Sequence, residues 1–135
     1  YYNGLGGKMD MKEIMETPLD ACYRELYEES GLEKSDIEDL KLKGVLTVFD
    51  RFGEWLVFEF AGRLADTTPK DKILKAAHDE GKLEWVNLAD IETIKLVPDL
   101  CNGHLKDLLF SNSFSFLSSK FNENDEMVES QVIKI

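Results

Sequence analysis

The sequence contains few of the residues that hold small disulfide-rich or zinc-binding domains together. It has two cysteines and two histidines in 135 residues, and no Cys-x-x-Cys pair. Two cysteines as distant as Cys22 and Cys101 form no disulfide framework, and so few soft ligands argue against a structural zinc site. This usage is typical of a reducing compartment, and we expect a cytoplasmic protein.

Positive charge and long apolar runs are also scarce. Sixteen Lys and Arg stand against 27 Asp and Glu, which gives a formal net charge of −11. Such a chain repels nucleic-acid phosphates and anionic membranes at long range. No apolar run approaches the length of a membrane span. We therefore expect neither a nucleic-acid polymer nor a membrane as a partner.

The chain is long enough for one hydrophobic core. With 43% hydrophobic residues in 135, we predict a single domain over residues 1–135. Thr17 before Pro18 at one end and Gly31 at the other predict a capped helix between them. Strand and helix patterns predict further elements: strands over 40–49, 55–60, 83–86, 114–121 and 127–135, and helices over 73–78 and 98–110.

Three glutamates of the predicted helix project from one side of it. Glu25, Glu28 and Glu29 stand at i, i+3 and i+4. Two unit charges about 5 Å apart repel by roughly 3 kcal/mol at an effective dielectric of 20. A divalent cation turns this repulsion into attraction, and oxygen ligands favour Mg²⁺ or Mn²⁺. For this spacing alone, the alternative is a solvated, Glu-rich helix face.

A glycine-rich segment, YNGLGGKMD at residues 2–10, suggests a phosphate site but fits neither common phosphate motif. Met9 follows Lys8 where a P-loop needs Ser or Thr, and a dinucleotide fingerprint needs a glycine at position 9. The glycines therefore need another explanation, which depends on the sequence that follows them.

The glycine segment and the glutamate helix together resemble the Nudix box, Gly-x5-Glu-x7-Arg-Glu-U-x-Glu-Glu-x-Gly-U, where U is aliphatic. Residues 24–32, RELYEESGL, match every fixed place of its second half, and Glu16 precedes them at the required spacing. Gly7 supplies the opening glycine, but eight residues instead of five separate it from Glu16, and Met15 replaces a usual glycine. We expect this longer loop to alter substrate fit or metal geometry without loss of the fold.

The resemblance implies a Nudix hydrolase with an α+β fold, an α/β/α sandwich with a mixed sheet and a C-terminal β-hairpin. It implies that Glu25 and Glu29 bind Mg²⁺, with Mn²⁺ possible, and that the carbonyl of Gly7 is a further ligand. Glu28 would be another ligand or a partner of the metal site.

Two further residues acquire roles from the same resemblance. Arg24 would pair with Glu16 and orient the acidic side chains. Glu80, in the DEGKLEW stretch, matches a family acid that binds metal or acts as the general base. An exposed loop acid is the alternative for Glu80.

The opening YNGLGGK also resembles the WNGFGGK opening of the MutT-related 8-oxo-dGTP diphosphatases. This implies that Asn3 hydrogen-bonds a nucleobase and that Gly6, Gly7 and Lys8 belong to the substrate-binding loop. Asp99 is the acid that remains from a base-contacting segment in which Val97 replaces a Trp. A helix N-cap is the alternative for Asp99. Members of this group have a strand or two before the glycines, so we expect such strands upstream of Tyr1.

The function implied is Mg²⁺-dependent hydrolysis of a nucleoside triphosphate to a monophosphate and pyrophosphate, with oxidised purine substrates such as 8-oxo-dGTP. One alternative keeps the chemistry and changes the substrate to ADP-ribose or another nucleoside diphosphate derivative. The other is a non-catalytic Nudix module that senses a nucleotide, which the longer loop and the missing Trp motivate. The sequence leaves both a monomer and a homodimer open.

Overall fold

The structure is a computed structural model, and it describes residues 4–9, 15–74, 83–100 and 103–135. The chain divides into two compact units. The described residues of the first unit lie within Gly4–Leu40 and Gly62–Leu88, and those of the second lie within Lys41–Ala61 and Ala89–Ile135.

Three α-helices and four strands, with three short 3-10 turns, make up the described part of the chain. In chain order they are α1 (Pro18–Ser30), a 3-10 turn (Lys34–Asp36), β1 (Ile37–Asp50), β2 (Gly53–Leu64), α2 (Asp71–Leu74), two 3-10 turns (Leu88–Asp90 and Pro98–Leu100), α3 (His104–Phe110), β3 (Ser115–Phe121) and β4 (Met127–Lys134). Among the described helices, none combines the length and the apolar character needed to cross a membrane.

The four strands form one mixed sheet in the order β2-β1-β3-β4. β1 runs parallel to β3, with Gly44 beside Ser115 at one end of the pairing and Phe49 beside Lys120 at the other. β3 and β4 pair antiparallel as a hairpin. The α+β class, the mixed sheet and the C-terminal hairpin predicted from the sequence are therefore confirmed.

The core of the sheet follows from alternation along its central strands. Leu46 and Val48 of β1 and Leu117 of β3 are buried together, with Phe121 packed against them. Every second residue of β3 is buried, which is the period expected of a strand with one covered face. The β1–β2 turn is closed where Phe52 donates its N–H to the Asp50 carboxylate, at 2.8 Å.

Helix α1 is held by caps at both ends, as the sequence predicts. The Thr17 hydroxyl accepts the Asp20 N–H at 3.1 Å, and the Asp20 carboxylate accepts the Thr17 N–H at 3.0 Å. This reciprocal pair satisfies two of the donors that a helix start leaves open. At the other end Gly31 lies at φ 75° and donates its N–H to the Tyr27 carbonyl at 2.8 Å.

Two predicted elements differ from the structure, and one is only partly covered. The helix expected over 98–110 begins at His104, because Gly103 before it lies at φ 81°, a left-handed conformation that interrupts a right-handed helix. No strand forms over residues 83–86, where the Trp85 indole N–H instead donates to the Lys70 carbonyl at 3.2 Å. The short helix expected over 73–78 overlaps α2 (Asp71–Leu74) only at residues 73–74, and positions 75–78 lie outside the described residues.

Candidate active site

Two glutamates of α1 approach the glycine segment that opens the Nudix-like motif. Glu29 accepts the N–H of Gly6 through Oε2 at 3.0 Å. The Glu25 carboxylate lies so close to Gly7 that a Cβ there would be 2.2 Å from Glu25 Cδ and Oε1. Real Cβ atoms do not approach that closely, so a residue with a side chain at position 7 would displace the carboxylate. Glycine is therefore required for this approach.

Arg24 binds the carboxylates and the loop together. Its Nε and Nη2 donate to Glu16 at 2.6 and 3.2 Å, and Nη1 donates to Glu25 at 2.7 Å and Glu28 at 3.1 Å. Nη2 also donates to the Lys8 carbonyl at 2.7 Å. The bonds to Glu16 and then Glu25 raise the pKa of Arg24 further above its ordinary value. One planar guanidinium thus fixes three carboxylates and the backbone of the glycine segment.

The three glutamates bound to Arg24 differ in burial, and this difference indicates different roles. The Glu16 and Glu25 side chains are 9% and 14% exposed, whereas that of Glu28 is 54% exposed. Glu16 is therefore sequestered as the fixed partner of Arg24. Glu28 has an exposed carboxylate that reaches Arg24 one helical turn away.

The residues present fit a hard divalent cation by donor chemistry. Within the described residues no group of three or more His, Cys, Asp or Glu side chains is arranged around one metal position. Glu25 and Glu29 nevertheless bring two carboxylates to the Gly6–Gly7 backbone. Mg²⁺ is usually held by one or two carboxylates with waters and substrate oxygens completing its octahedron, so two carboxylates and a carbonyl suffice.

Several residues predicted for the site are not placed by the structure. Asn3 and Glu80 lie outside the described residues, and Asp99 lies in the 3-10 turn Pro98–Leu100 without a described side chain. Lys8 is exposed. The roles of these residues in binding or catalysis stay predictions.

A second charged cluster in the same unit was not foreseen from the sequence. The Asp36 carboxylate accepts from Lys72 Nζ at 2.5 Å, from Thr68 Oγ1 at 2.7 Å and from the Glu33 N–H at 2.8 Å. The bond from Lys72 is the main reason that the pKa of Asp36 falls to about 2. Asp36 also accepts the Ala65 N–H at its backbone carbonyl, at 2.8 Å. No motif signals this cluster, because its members are 32 and 36 residues apart.

A buried pair in the second unit was also missed. His104 at the start of α3 lies 2.9 Å from Glu59 of β2, with side chains 6% and 11% exposed. A Cβ at Gly44 would lie 2.7 Å from Glu59 Oε2, so glycine makes room for the carboxylate. His104 Nδ1 is buried without a hydrogen-bond partner. This pair fixes α3 to β2.

The chain matches the family model described as the NUDIX domain over residues 3–104. It is 32% identical, over 109 residues, to the uncharacterized Nudix hydrolase YvcI of Bacillus subtilis (strain 168), an alignment that covers 77% of this chain. The chain therefore belongs to the Nudix hydrolase family, as its motif indicates. It spans 61% of the length of that relative.

A solved structure supports the same fold. The MutT protein from Bacillus halodurans superimposes with a TM-score of 0.66 at 23% sequence identity, over 95% of this chain and 79% of that one. At this identity the likeness concerns the fold alone. Nudix enzymes in general use divalent metal ions, which agrees with the oxygen-rich site on α1.

Proposed function

We propose that this chain hydrolyses a phosphoanhydride bond of a nucleotide in a reaction that depends on Mg²⁺. The observation that carries the proposal is the approach of Glu25 and Glu29 to the Gly6–Gly7 backbone, with Arg24 bound to Glu25 and to the Lys8 carbonyl. This arrangement gathers negative charge where a divalent cation and a diphosphate can be held together. A solvated glutamate face would need neither the glycine nor the arginine.

Glu25, Glu29 and the Gly7 carbonyl are the residues proposed to hold the metal, with Glu28 as a further ligand or partner. When bound, the cation supplies charge neutralisation and polarisation of the phosphoryl oxygens. Arg24 holds Glu25 in the orientation that metal binding requires. A carboxylate that already accepts a hydrogen bond from an arginine loses less conformational entropy when it binds a metal ion. Glu16 keeps Arg24 in place from a position that is almost fully buried.

The reaction proposed is attack of water at one phosphorus of a nucleoside triphosphate. One phosphoanhydride bond breaks, a nucleoside monophosphate and pyrophosphate leave, and one proton is released. A glutamate accepts that proton, and Glu80 is the residue proposed as general base on the family resemblance. Cys22 has no part in this chemistry, because burial raises the pKa of its thiol and no covalent intermediate is needed.

The substrates proposed are oxidised purine nucleotides such as 8-oxo-dGTP. The proposal rests on the YNGLGGK opening and on Asn3 and Asp99, which the resemblance assigns to base recognition. An asparagine side chain presents a donor and an acceptor together, which matches the edge of a purine.

The test is a substrate panel with the purified protein. Nucleoside triphosphates, 8-oxo-dGTP and ADP-ribose are incubated with Mg²⁺, Mn²⁺ or EDTA, and products are separated by anion-exchange chromatography. We expect monophosphate and pyrophosphate from a triphosphate, with no turnover in EDTA. Hydrolysis in ¹⁸O-water then shows by mass spectrometry which phosphorus was attacked.

Variants connect the activity to the site. Glu29→Gln removes a carboxylate charge and is expected to lower kcat by about 100-fold or more. Glu54→Gln, an identical change at an exposed residue of β2, is the matched control and should leave kcat unchanged. Preference for ADP-ribose over every triphosphate would replace the substrate proposed here. Nucleotide binding without turnover in any condition would instead favour the sensor.

A further inference from the structure

The glycine segment is bound to α1 on both sides of Gly7. One residue before Gly7, the Gly6 N–H donates to Glu29 Oε2 at 3.0 Å. One residue after it, the Lys8 carbonyl accepts from Arg24 Nη2 at 2.7 Å. Gly7, whose carbonyl is a proposed metal ligand, therefore lies between two hydrogen bonds to the same helix.

Neither burial nor packing explains the bond between Gly6 and Glu29. Gly6 is exposed, so water is an alternative partner for its N–H. Among the described residues no atom lies within 4 Å of a Cβ built at Gly6, and its φ lies outside the left-handed region that favours glycine. Position 6 therefore does not need a glycine for steric reasons. What it supplies to the site is the backbone N–H that contacts Glu29.

The Gly6 N–H contacts a carboxylate that is proposed to bind the metal ion. Carboxylates that bind metals are themselves hydrogen-bonded by neighbouring donors, which fix the direction of their oxygens. A bond from a backbone N–H to an ionised carboxylate is stronger than one to a neutral acceptor. Arg24 provides such a donor to Glu25, with 2.7 Å between Nη1 and Oε1. The Gly6 N–H provides one to Glu29.

We propose that the backbone N–H of Gly6 positions the Glu29 carboxylate for metal binding. This inference rests on the proposed function and goes beyond it. The Nudix-like motif begins at Gly7, and the resemblance assigns Gly6 to the substrate-binding loop without a part in the metal site. Gly6 touches neither the metal ion nor a reacting atom in this account, and it acts through Glu29.

The experiment removes this one N–H and measures metal binding without substrate. Gly6→Pro replaces the N–H with a ring carbon, whereas Gly6→Ala keeps the N–H and adds only a methyl group. Mn²⁺ is titrated into each purified protein and followed by electron paramagnetic resonance, in which the signal of the hydrated ion is lost on binding. We expect the dissociation constant for Mn²⁺ to rise about tenfold in Gly6→Pro and to stay within about twofold in Gly6→Ala.

A double-mutant cycle connects this effect to Glu29. Glu29→Ala removes the acceptor and should itself weaken Mn²⁺ binding. In that background Gly6→Pro should change the dissociation constant by less than about twofold, because the bond that it removes is already absent. Glu54→Ala, at an exposed residue of β2, is the matched control and should leave the effect of Gly6→Pro at about tenfold.

Hydrogen exchange gives a second measurement, which needs neither metal nor a proline. The Gly6 N–H should exchange with solvent more slowly in the unchanged protein than in Glu29→Ala, because opening of the bond precedes exchange. In Glu54→Ala its exchange rate should equal that of the unchanged protein. Thermal unfolding of each variant shows whether the folded population has changed.

The outcomes separate this inference from the proposed function. The inference is wrong, and the proposed function stands, if Gly6→Pro binds Mn²⁺ as tightly as the unchanged protein does. The same conclusion follows if Gly6→Ala loses as much affinity, if the loss is equal with and without Glu29→Ala, or if Glu29→Ala leaves the exchange of the Gly6 N–H unaltered. An unchanged protein that binds no Mn²⁺ and hydrolyses nothing in the panel overturns both.

Discussion

Two charged clusters in the same unit are built on opposite plans. At Arg24 one guanidinium is shared among the carboxylates of Glu16, Glu25 and Glu28. At Asp36 one carboxylate is shared among three donors. The Arg24 cluster therefore holds more negative charge than the one guanidinium neutralises. In the Asp36 cluster, the single carboxylate has three hydrogen-bond donors.

This difference separates a charged cluster that is suited to binding a ligand from one that stabilises the fold. Uncompensated carboxylates repel one another, so a cluster that keeps them costs stability unless a ligand is bound. A carboxylate with three donors is stable without a ligand. We therefore expect the Arg24 cluster to respond most strongly in activity and the Asp36 cluster to respond in stability against pH.

The largest expected effect comes from adding one methyl group at the approach of Glu25. Gly7→Ala places a Cβ 2.2 Å from the Glu25 carboxyl, which must then move away. Displacement of a reacting group by about 1 Å costs about 100-fold in rate, so kcat should fall by that factor. Stability should change little, because the displaced group is the flexible end of a side chain.

Gly4→Ala is the matched control, since no atom lies within 4 Å of a Cβ at that position. Steady-state kinetics and thermal unfolding of both variants make the measurement. Equal activity of Gly7→Ala and the unchanged protein would show that Glu25 does not need its present position.

The next effect concerns the shared cation. Arg24→Lys keeps the charge but loses the planar fork that reaches Glu16, Glu25 and the Lys8 carbonyl together. We expect a loss of about 1–3 kcal/mol in the free energy of unfolding, because acceptors in a partly buried cluster lose their donors. Urea denaturation measures this loss. Full stability in the lysine variant would mean that the fork geometry contributes nothing.

A smaller effect is expected in the pH dependence of folding stability, to which the Asp36 cluster contributes. The bond from Lys72 holds the pKa of Asp36 at about 2, below its ordinary value, so the ionised form is favoured in the folded state. The resulting stabilisation is present above about pH 4 and is lost as the pH falls towards 2. Urea midpoints measured from pH 5 to pH 2 should fall less steeply for Asp36→Asn than for the unchanged protein. Parallel curves would contradict the assignment.

The smallest effect is expected at an exposed ion pair of the same unit. Arg63 lies 2.6 Å from Glu38 and 2.9 Å from Asp39, but its side chain is 55% exposed. Water screens such surface pairs, so Arg63→Ala should leave the urea midpoint almost unchanged. A loss as large as that of Arg24→Lys would show that the number of ion pairs, and not their burial, decides stability.

Local chemistry explains why part of the fold could be predicted. The caps of α1 at Thr17 and Gly31 act within four residues of the bonds they make, and both were foreseen. The hairpin turns are local in the same sense. The start of α3 at His104 was not predicted, because Gly103 before it adopts a left-handed conformation. A left-handed glycine is more often found after a helix than before one, so the sequence did not indicate a helix start there.

The candidate site likewise contains contacts that could be predicted from the sequence and contacts that depend on the fold. The resemblance to the Nudix box implied the ion pair of Glu16 with Arg24, and the pair is present at 2.6 Å. The closeness of Gly7 to Glu25 and the bond from Gly6 to Glu29 depend on how the loop meets the helix. The Asp36 cluster and the His104–Glu59 pair join positions up to 45 residues apart, and no spacing rule signals them.

By itself the sequence determined the capped acidic helix, the C-terminal hairpin and the family, because turns, caps and motif spacings are set by neighbouring residues. Only the tertiary structure decided that β1 pairs in parallel with β3 and that Glu25 fits against a glycine. It also decided that Asp36 accepts hydrogen bonds from the distant residues Thr68 and Lys72. Those contacts depend on chain segments brought together by burial, and burial is a property of the whole fold.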